Sequence, residues 1–309
     1  MVDNKQQWKA WLYLLPAIIL LLIFTVWPII NTTRLAFLNG YGLLSEVGGA
    51  QFQFGIENFV KVVQYKKFLT CLTNTCLLTV ITVPVSTLLA LLVAVGLNSI
   101  KFLNRFLQTI YFLPYVTNSI AIGMVFAMMF NIVGSVDTIV TAGIINNILG
   151  WFGIEPVNWI NAGSLPEANM AVMCVYIIWN ALPFKILILL GGLQSVNKQY
   201  YDAAKIDGAS RSTVFWKITV PLLSPMIAYV VITGFIGGFK EYSSIVGIFG
   251  ETMGPAGSPG QMNTMVGFIY DSLGSDNEGR ASAAALILFV IILAVTGLNS
   301  YVSKKKVHY

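Results

Sequence analysis

Six long apolar segments, separated by polar loops, set the pattern of this chain. Each is long enough to form a membrane-spanning helix, which needs about 20 apolar residues. The six segments are 11–30, 72–97, 106–133, 170–193, 222–248 and 281–302. The last five occupy residues 72–302, and a basic tail, 303–309, follows them. The pattern therefore predicts an all-α integral membrane protein with six transmembrane helices.

The first apolar segment, 11–30, is predicted to be a retained transmembrane helix. It follows Lys5 and Lys9 in the N-terminal stretch 1–10, as the apolar part of a secretory signal would. However, it is longer than that apolar part, and no small-residue cleavage site follows it. We therefore assign 1–10 to a cytoplasmic N-terminus and 11–30 to the first helix.

The segment 31–71 is mixed and polar, and we predict that it lies outside the cell. Near its end, Phe59, Val62 and Val63 fall on one face of a helix, while Lys61 lies on another. This arrangement is typical of an amphipathic helix at the membrane interface.

Basic residues are distributed unequally between the two sides of the membrane that six spans define. Eleven Lys and Arg fall on the side of the two termini and five on the other. The eleven are Lys5, Lys9, Lys101, Arg105, Lys198, Lys205, Arg211, Lys217, Lys304, Lys305 and Lys306. Such an excess marks the cytoplasmic side. Both termini and the loop 194–221 are therefore predicted to be cytoplasmic.

Composition agrees with a membrane protein. Hydrophobic residues make up 56% of the chain and charged residues only 10%, whereas soluble domains carry about 25% charged residues. The net charge of +5 follows from the cytoplasmic loops and does not require a nucleic-acid partner. We predict membrane lipid as the surroundings and no nucleic-acid binding.

The most distinctive polar loop is 200–225, YYDAAKIDGASRSTVFWKITVPLLSP. Four small residues allow another backbone to approach closely: Ala203, Ala204, Gly208 and Ala209. Gly208 can adopt a positive φ and so end one helix before the next begins. Asp202 is expected to cap a helix N-terminus. The loop is predicted to be a helix–turn–helix on the membrane surface that offers its turn to another protein.

The spacing of this loop resembles the EAA loop of ATP-binding-cassette (ABC) importer permeases, E-A-A-x-x-x-G followed by nine residues and I-x-L-P. Gly208 and Pro221 match, while Asp202 replaces the family's Glu and Val220 its Leu. The resemblance implies a type I ABC importer permease fold, with 194–221 as the docking loop for a cytosolic ATPase. The docking residues it implies are Asp202, Ala203, Ala204, Asp207, Gly208, Ala209, Arg211 and Phe215. The alternative interpretation is an ordinary connector between helices.

A second resemblance concerns the class of solute. The segment after the fifth span resembles the T-x-G-G-P…T…I-Y…G-x-A-x-A block of carbohydrate permeases of the maltose, oligosaccharide and glycerol-phosphate type. The matching residues are Thr252, Gly254, Pro255, Thr264, Ile269, Tyr270, Gly279, Ala281 and Ala283. This resemblance implies a multi-pass permease that imports an oligosaccharide or related carbohydrate across the plasma (cytoplasmic) membrane of a prokaryote.

The family resemblance also implies three partners: a second, homologous permease subunit, a cytosolic ABC ATPase dimer and an extracellular solute-binding protein. ATP and Mg²⁺ are expected on the ATPase, because this chain has no phosphate-binding G-x-x-x-x-G-K-[ST] sequence. The only histidine, His308, is the penultimate residue, which argues against a histidine metal cluster or a catalytic triad. We predict no cofactor, metal or catalytic residue in this chain.

Polar residues inside the apolar segments are candidates for the solute pathway. A Lys at mid-membrane costs roughly 2.5–3.5 kcal/mol on insertion scales, so Lys185 is expected either to extend towards the cytoplasmic surface or to line the pathway. Amides hydrogen-bond sugar hydroxyls and aromatic rings stack on sugars. The pathway candidates are Asn118, Trp179, Asn180, Lys240, Glu241 and Tyr242. Alternatively, Lys240 and Glu241 form an interfacial ion pair and the other four are helix-packing groups.

Two other functions stay open. A permease for another solute, such as an amino acid or a polyamine, conflicts with the carbohydrate-type block. An ATP-independent secondary transporter or channel leaves the docking loop unexplained. A membrane-embedded enzyme is disfavoured, because no cluster of His or carboxylate residues accompanies a span.

Overall fold

The computed structural model describes residues 7–100, 104–135 and 138–306. Lys5, Lys101 and His308, which enter the sequence analysis, lie outside these residues. The described chain is mostly helical. Its helices are, in chain order, α1 (Gln7–Leu21), α2 (Trp27–Ala36), α3 (Leu43–Val47), α4 (Glu57–Gln64), α5 (Lys66–Ser99), α6 (Asn104–Val116), α7 (Ser119–Phe130), α8 (Ile144–Trp151), α9 (Pro166–Ser195), α10 (Gln199–Ile206), α11 (Arg211–Val214), α12 (Val220–Leu222), α13 (Ser224–Phe239), α14 (Ser243–Phe249), α15 (Met265–Leu273) and α16 (Glu278–Lys306).

Between four and six candidate membrane spans are present in the described chain. Four helices are each long and apolar enough to cross a membrane: Trp8–Ala36, Lys66–Ser99, Pro166–Ser195 and Glu278–Ser303. Two helix pairs meet the same criterion together but are bent, Thr109–Val116 with Ser119–Phe130 by 104° and Arg211–Leu222 with Ser224–Phe239 by 68°. The count reaches six if each bent pair is one span.

Several helices extend beyond the apolar segments that predicted them. A π-helical turn, Leu22–Val26, joins α1 to α2, so the helix predicted over 11–30 continues to Ala36. The helix predicted from residue 72 begins at Lys66. Hydropathy marks only the lipid-facing centre of a helix, whereas backbone hydrogen bonding continues into its polar ends. The interfacial helix predicted within 31–71 corresponds to α4, whose location at the membrane interface stays a prediction.

The sharp bend between α6 and α7 lies where α6 ends and Asn118 caps the start of α7. Prolines inside other helices cause no such break. Pro114 lies near the end of α6, and Asn118 Oδ1 then accepts a hydrogen bond from the N–H of Ile120 at 2.8 Å. This cap starts α7 in a new direction. Pro84 and Pro183 lie inside α5 and α9, and both helices continue through them. Such prolines are tolerated in apolar spans.

A short β-hairpin follows α7. Strands β1 (Ile132–Ser135) and β2 (Thr138–Ala142) are antiparallel, with Ile132 opposite Ala142 and an irregularity between Val133 and Gly134. The all-α prediction is therefore incomplete at this point. β-Branched residues at 132, 133 and 138–141 favour a strand. The first two, however, belong to the apolar segment 106–133, which predicts a helix.

The described chain divides into two compact units. The first comprises the described residues up to Phe68 together with Phe268–Phe289, and the second comprises Leu69–Gly267 together with the described residues from Val290 onwards. In the first unit Asn58 is buried, and its Nδ2 donates to the carbonyls of Ala36 at 3.1 Å and Leu38 at 2.7 Å. This amide fixes the path of the chain directly after α2.

Among the described residues of the second unit, α9 contributes to two apolar clusters. The first contains Leu78, Phe126, Phe130, Val172, Met173, Tyr176, Ile177, Ile245, Ile248, Met253 and Met262. The second contains Ala90, Leu91, Ala94, Leu97, Ile186, Leu189, Leu190, Leu193, Leu223 and Val230. Between Ile177 and Ile186, α9 contributes no buried residue to either cluster, and only Leu182 packs against one of them, the second. Polar side chains in this part of α9 can therefore face a space outside the two clusters.

Two helices of the second unit approach so closely that only glycine fits between them. A Cβ atom placed on Gly123 of α7 would lie 2.7 Å from the Cα of Gly247 in α14. Close packing of this kind, with backbone against backbone, is typical of membrane helices with small residues at their interface.

Candidate docking loop and solute cavity

The turn at Gly208 links α10 to α11 and is closed by a Schellman pair of hydrogen bonds. The N–H of Ala209 donates to the carbonyl of Ala204 at 2.9 Å, and the N–H of Gly208 donates to that of Lys205 at 3.2 Å. Gly208 has φ +67°, the left-handed conformation that glycine adopts without strain. The structure therefore contains the helix–turn–helix that the sequence predicts.

The N-terminal cap of α10 is not Asp202, in contrast to the sequence prediction. α10 begins at Gln199, whose N–H donates to Asn197 Oδ1 at 3.0 Å. Asp202 is thus the fourth residue of α10, and within the described chain its carboxylate forms no hydrogen bond to a backbone N–H. The predicted Asp202 cap is wrong because the helix starts one turn earlier, at a local Asn cap. Asp202 still lies in the first turn, where a negative charge interacts favourably with the helix dipole.

The predicted docking residues are mostly accessible. Asp202, Ala203, Asp207, Gly208 and Arg211 are exposed, Ala209 and Phe215 are half-buried, and Ala204 is buried. Ile206, directly before the turn, is 86% exposed. The loop thus offers charged groups, a bare glycine turn and an apolar side chain to the surroundings. Docking itself stays a prediction.

A cavity of about 340 Å³ lies in the second unit, among residues of α5, α6, α7, α9 and α13. Its volume is at the lower end of the range for small-molecule sites, roughly 300–1,000 Å³. On α9 it is bordered by Asn180, Phe184 and Lys185, in the part of the helix between the two apolar clusters. The cavity is therefore the space that the polar part of α9 faces.

Glycines on α13 keep this space open. Gly234, Gly237 and Gly238 line the cavity together with Thr233, at the three- and four-residue spacing that puts residues on one helical face. Because three of these positions lack side chains, α13 presents mainly backbone to the cavity. The sequence contains this spacing, but nothing in the sequence alone connects these glycines with the pathway.

Lys185 lines the cavity and does not extend to the membrane surface. Its side chain is buried, and its Nζ donates to the Val83 carbonyl at 3.1 Å, to Ser86 Oγ at 2.7 Å and to Thr87 Oγ1 at 2.9 Å. All three acceptors belong to α5. Of the two interpretations left open by the sequence, the structure excludes extension towards the cytoplasmic surface.

Glu241 lines the same cavity, whereas Lys240 and Tyr242 do not. In the described chain Lys240 and Glu241 do not form the ion pair that one interpretation expects, since no salt bridge joins them within 4.0 Å. Glu241 Oε1 instead accepts hydrogen bonds from the N–H groups of Tyr242 and Ser244, both at 3.1 Å. The carboxylate is thus held by the start of α14. Tyr242 packs against the first apolar cluster.

The other three pathway candidates have different surroundings. Asn180 lines the cavity. Asn118 is the cap of α7, as described above, and its neighbour Ser119 borders the cavity. Trp179 packs against Phe126, with ring centroids 5.2 Å apart. Asn180 and Glu241 are therefore the predicted residues that the structure brings together at one cavity.

Ser86 and Thr87 are site residues that the sequence analysis missed. They neighbour the cavity through Lys185. A signal was present, because Thr82, Ser86 and Thr87 recur at helical spacing within an otherwise apolar segment. Hydroxyls inside a span often bond only to the preceding turn of their own helix, as Ser86 Oγ and Thr87 Oγ1 also do here. The sequence alone does not show that a lysine some 100 residues away is their partner.

Residues 86–308 match the family described as the binding-protein-dependent transport system inner membrane component. The chain belongs to this family. It is therefore a membrane component of a binding-protein-dependent transport system, and the matched residues include both the loop around Gly208 and most of the cavity.

Curated relatives are similar over nearly the whole chain. The arabinooligosaccharides transport system permease protein AraP of Halalkalibacterium halodurans is 33% identical, covering 96% of this chain and 88% of that protein. The lactose transport system permease protein LacF of Rhizobium radiobacter is 30% identical, covering 94% and 91%. The trehalose/maltose transport system permease protein MalF of Thermococcus litoralis is 27% identical, covering 93% and 90%.

Solved structures support the same fold. A chain of a bacterial ABC transporter involved in the import of the acidic polysaccharide alginate superposes with a TM-score of 0.78, 23% identity and coverage of 98% of this chain and 97% of that one. A second structure of a bacterial alginate ABC transporter, in complex with an alginate pentasaccharide-bound periplasmic protein, gives a TM-score of 0.77. The chain thus has the fold of an ABC importer permease.

Proposed function

We propose that this chain is the permease subunit of an ATP-driven, binding-protein-dependent importer of an oligosaccharide or a related carbohydrate. The observation that carries the proposal is the similarity, over 93–96% of the chain, to permeases whose names specify sugars. The cavity supports it, because the Asn180 amide, the Thr82 and Thr233 hydroxyls and the Tyr115 ring are groups that bind sugar hydroxyls and sugar faces.

Uptake measurements test this function. Cells in which the gene is deleted, and the same cells with the gene restored, would be given a panel of labelled oligosaccharides, amino acids and polyamines. We expect gene-dependent accumulation of at least one saccharide. Gene-dependent accumulation confined to an amino acid or a polyamine would contradict the carbohydrate assignment, although not the importer class.

The proposed arrangement in the membrane has six spans: the four continuous helices, the bent pair α6–α7, and α13, whose partner in the second bent pair, Arg211–Leu222, belongs to the docking loop. Both termini and the docking loop 194–221 face the cytoplasm, and the segment 31–71 lies outside. The excess of basic residues on the side of the termini supports this orientation, and the apolar helices support the number of spans. The membrane is the plasma membrane of a prokaryote.

Cysteine labelling tests the orientation. Ser212→Cys, in α11, and Ser258→Cys, before α15, are both at exposed positions and would be made in a background without the native Cys71, Cys76 and Cys174. With a membrane-impermeant maleimide added to intact cells, we expect Ser258→Cys to react and Ser212→Cys to react only after the membrane is opened. Equal labelling of both in intact cells would contradict the proposed orientation.

The proposed assembly contains two permeases, a cytosolic ABC ATPase dimer and an extracellular solute-binding protein, with ATP and Mg²⁺ bound by the ATPase. The loop around Gly208 is the contact that this chain offers to one ATPase subunit. The exposure of Asp202, Asp207, Gly208 and Arg211 supports this role. The second ATPase subunit then needs a docking loop from another permease.

Purification tests the composition of the assembly. Because this chain has one such loop, we expect it to co-purify with a second, homologous permease rather than only with itself. Affinity purification from its native membrane, followed by mass spectrometry of the stained bands, measures this directly. A transport-competent assembly that contains this permease alone would overturn the prediction.

A further inference from the structure

The ammonium group of Lys185 is a buried charge whose neighbours are neutral. Its three hydrogen-bond acceptors are the Val83 carbonyl and the hydroxyls of Ser86 and Thr87. In the part of the chain that the structure describes, no carboxylate oxygen lies within 4.0 Å of its Nζ. Buried charges are normally paired, and an ionisable residue inside a membrane span is commonly functional.

The charge lies directly beside open space. A Cβ atom placed on Gly234 would come within 3.3 Å of Lys185 Nζ, and both residues line the cavity. Glycine at this position therefore leaves the cavity side of the ammonium group uncovered. A larger residue would place carbon against the charge.

We propose that Lys185 determines the specificity of the cavity for an anionic saccharide, one that carries a carboxylate or a phosphate group. This inference rests on the proposed function and narrows its substrate class. An anionic oxygen supplies the counter-charge that this lysine lacks, and charge-assisted hydrogen bonds to carboxylate or phosphate are among the stronger ones in proteins. A neutral sugar hydroxyl would leave the buried charge uncompensated.

One of the three present hydrogen bonds of Lys185 can be exchanged for a bond to the solute. The Val83 carbonyl already accepts from Thr87 Oγ1 at 2.7 Å and from Ser86 Oγ at 3.2 Å, and its 3.1 Å bond to Lys185 is the longest that the ammonium makes. If an anionic oxygen took this N–H, the Val83 carbonyl would keep its other donors. The two hydroxyls would continue to hold Nζ in place.

The cavity is also lined by a group of opposite charge, Glu241. It lies seven residues beyond Gly234 and two beyond the end of α13 at Phe239, and the five helical steps from Gly234 to Phe239 alone span roughly 7–8 Å. Its Oε1 is held by two backbone N–H groups. An anionic group is therefore repelled from the Glu241 end and attracted to the Lys185 end, so that the two charges together favour one orientation of the solute.

The competing interpretation is that Lys185 only ties α9 to α5. Its hydrogen bonds to three residues of α5 would serve that purpose without any solute. A purely structural link, however, affects every solute to the same extent. A specificity residue affects the uptake of anionic solutes alone. Comparing neutral and anionic solutes therefore distinguishes the two roles.

The experiment measures uptake of a panel of saccharides in proteoliposomes that contain the complete transporter with its binding protein. The panel includes length-matched neutral hexose and hexuronate oligomers together with phosphorylated sugars. Three proteins are compared: wild type, Lys185→Met and Lys185→Arg. We expect wild type to import an anionic saccharide. Lys185→Met should reduce that uptake by about tenfold or more, the worth of a charge-assisted hydrogen bond, and Lys185→Arg should retain most of it.

Each other outcome has a defined meaning. If wild type imports only neutral saccharides, or if Lys185→Met lowers neutral and anionic uptake equally, the specificity role of Lys185 is wrong while the carbohydrate function stands. If wild type imports no saccharide, the proposed function itself fails. The arms with hexuronate and with phosphorylated sugar distinguish carboxylate from phosphate.

A second variant keeps the test decisive if Lys185→Met does not assemble. Gly234→Ala leaves the lysine in place but adds a methyl group beside its ammonium and beside Val83 Cγ1, which it would approach to 3.0 Å. We expect reduced uptake of the anionic saccharide with normal assembly. Unchanged anionic uptake in an assembled Gly234→Ala transporter would overturn the proposal.

Discussion

Replacing Gly208 with valine is expected to abolish most solute uptake while leaving the permease inserted and bound to its homologous partner. Gly208 has φ +67° and closes the turn between α10 and α11. A β-branched residue in this conformation is strained by about 1–3 kcal/mol, which is too little to unfold the membrane helices. Among the residues that the structure describes, none lies within 4 Å of a Cβ placed on Gly208. A large loss of function would therefore support the proposed contact between this turn and the ATPase.

Gly153→Val provides the matched control for Gly208→Val. Gly153 has φ +73°, and a Cβ atom placed on it likewise meets nothing within 4 Å. The backbone strain is therefore comparable, but Gly153 lies far from the loop in sequence. We expect Gly153→Val to retain uptake and solute-stimulated ATP hydrolysis, and Gly208→Val to lose both in a reconstituted complex. Normal transport by Gly208→Val would show that the loop is only a connector.

Replacing Gly123 with alanine is expected to destabilise the packing of α7 against α14. The added methyl carbon would lie 2.7 Å from the Cα and 2.9 Å from the carbonyl carbon of Gly247. Neither is the end of a flexible side chain, so α7 and α14 must separate. Overpacking of this kind costs roughly 1–3 kcal/mol.

Thermal unfolding of the purified transporter in lipid nanodiscs measures this effect. Gly191→Ala is the control, because Gly191 lies within α9 and a Cβ there meets nothing within 4 Å. Alanine at an open helical position is neutral or stabilising by up to about 1 kcal/mol. We expect a lower midpoint for Gly123→Ala and an unchanged or higher one for Gly191→Ala. Equal midpoints would contradict the close approach of the two helices.

Local sequence was sufficient to predict the turn at Gly208, because the hydrogen bonds that form the turn join residues only a few positions apart. The Ser210 hydroxyl, for example, accepts from the N–H of Thr213 at 3.2 Å. Local sequence was insufficient for Asp202, because Asn197 caps the helix instead, one turn before the predicted start. A cap forms where a side-chain oxygen can accept a hydrogen bond from an unpaired N–H of the first helical turn. The sequence offers both Asn197 and Asp202 for this role and does not show which of them lies at the start of the helix.

The solute cavity was predictable only in part, because it depends on contacts between distant segments. Asn180 and Glu241 were identified from their chemistry. The partners of Lys185 come from α5, and the open space beside it comes from Gly234 on α13. The bend between α6 and α7 was also missed, since Pro84 and Pro183 show that a proline alone does not break a membrane helix.

The docking loop carries a net positive charge, and this bears on how fast the proposed contact with the ATPase would form. Residues 194–221 contain four basic and two acidic side chains, a net charge of +2: Lys198, Lys205, Arg211 and Lys217 against Asp202 and Asp207. A charged surface attracts an oppositely charged partner at long range, so electrostatic steering raises the rate at which the two associate. Added salt should accordingly slow the association with an acidic docking surface, whereas the lifetime of the contact would depend on short-range packing around Ile206 and Gly208.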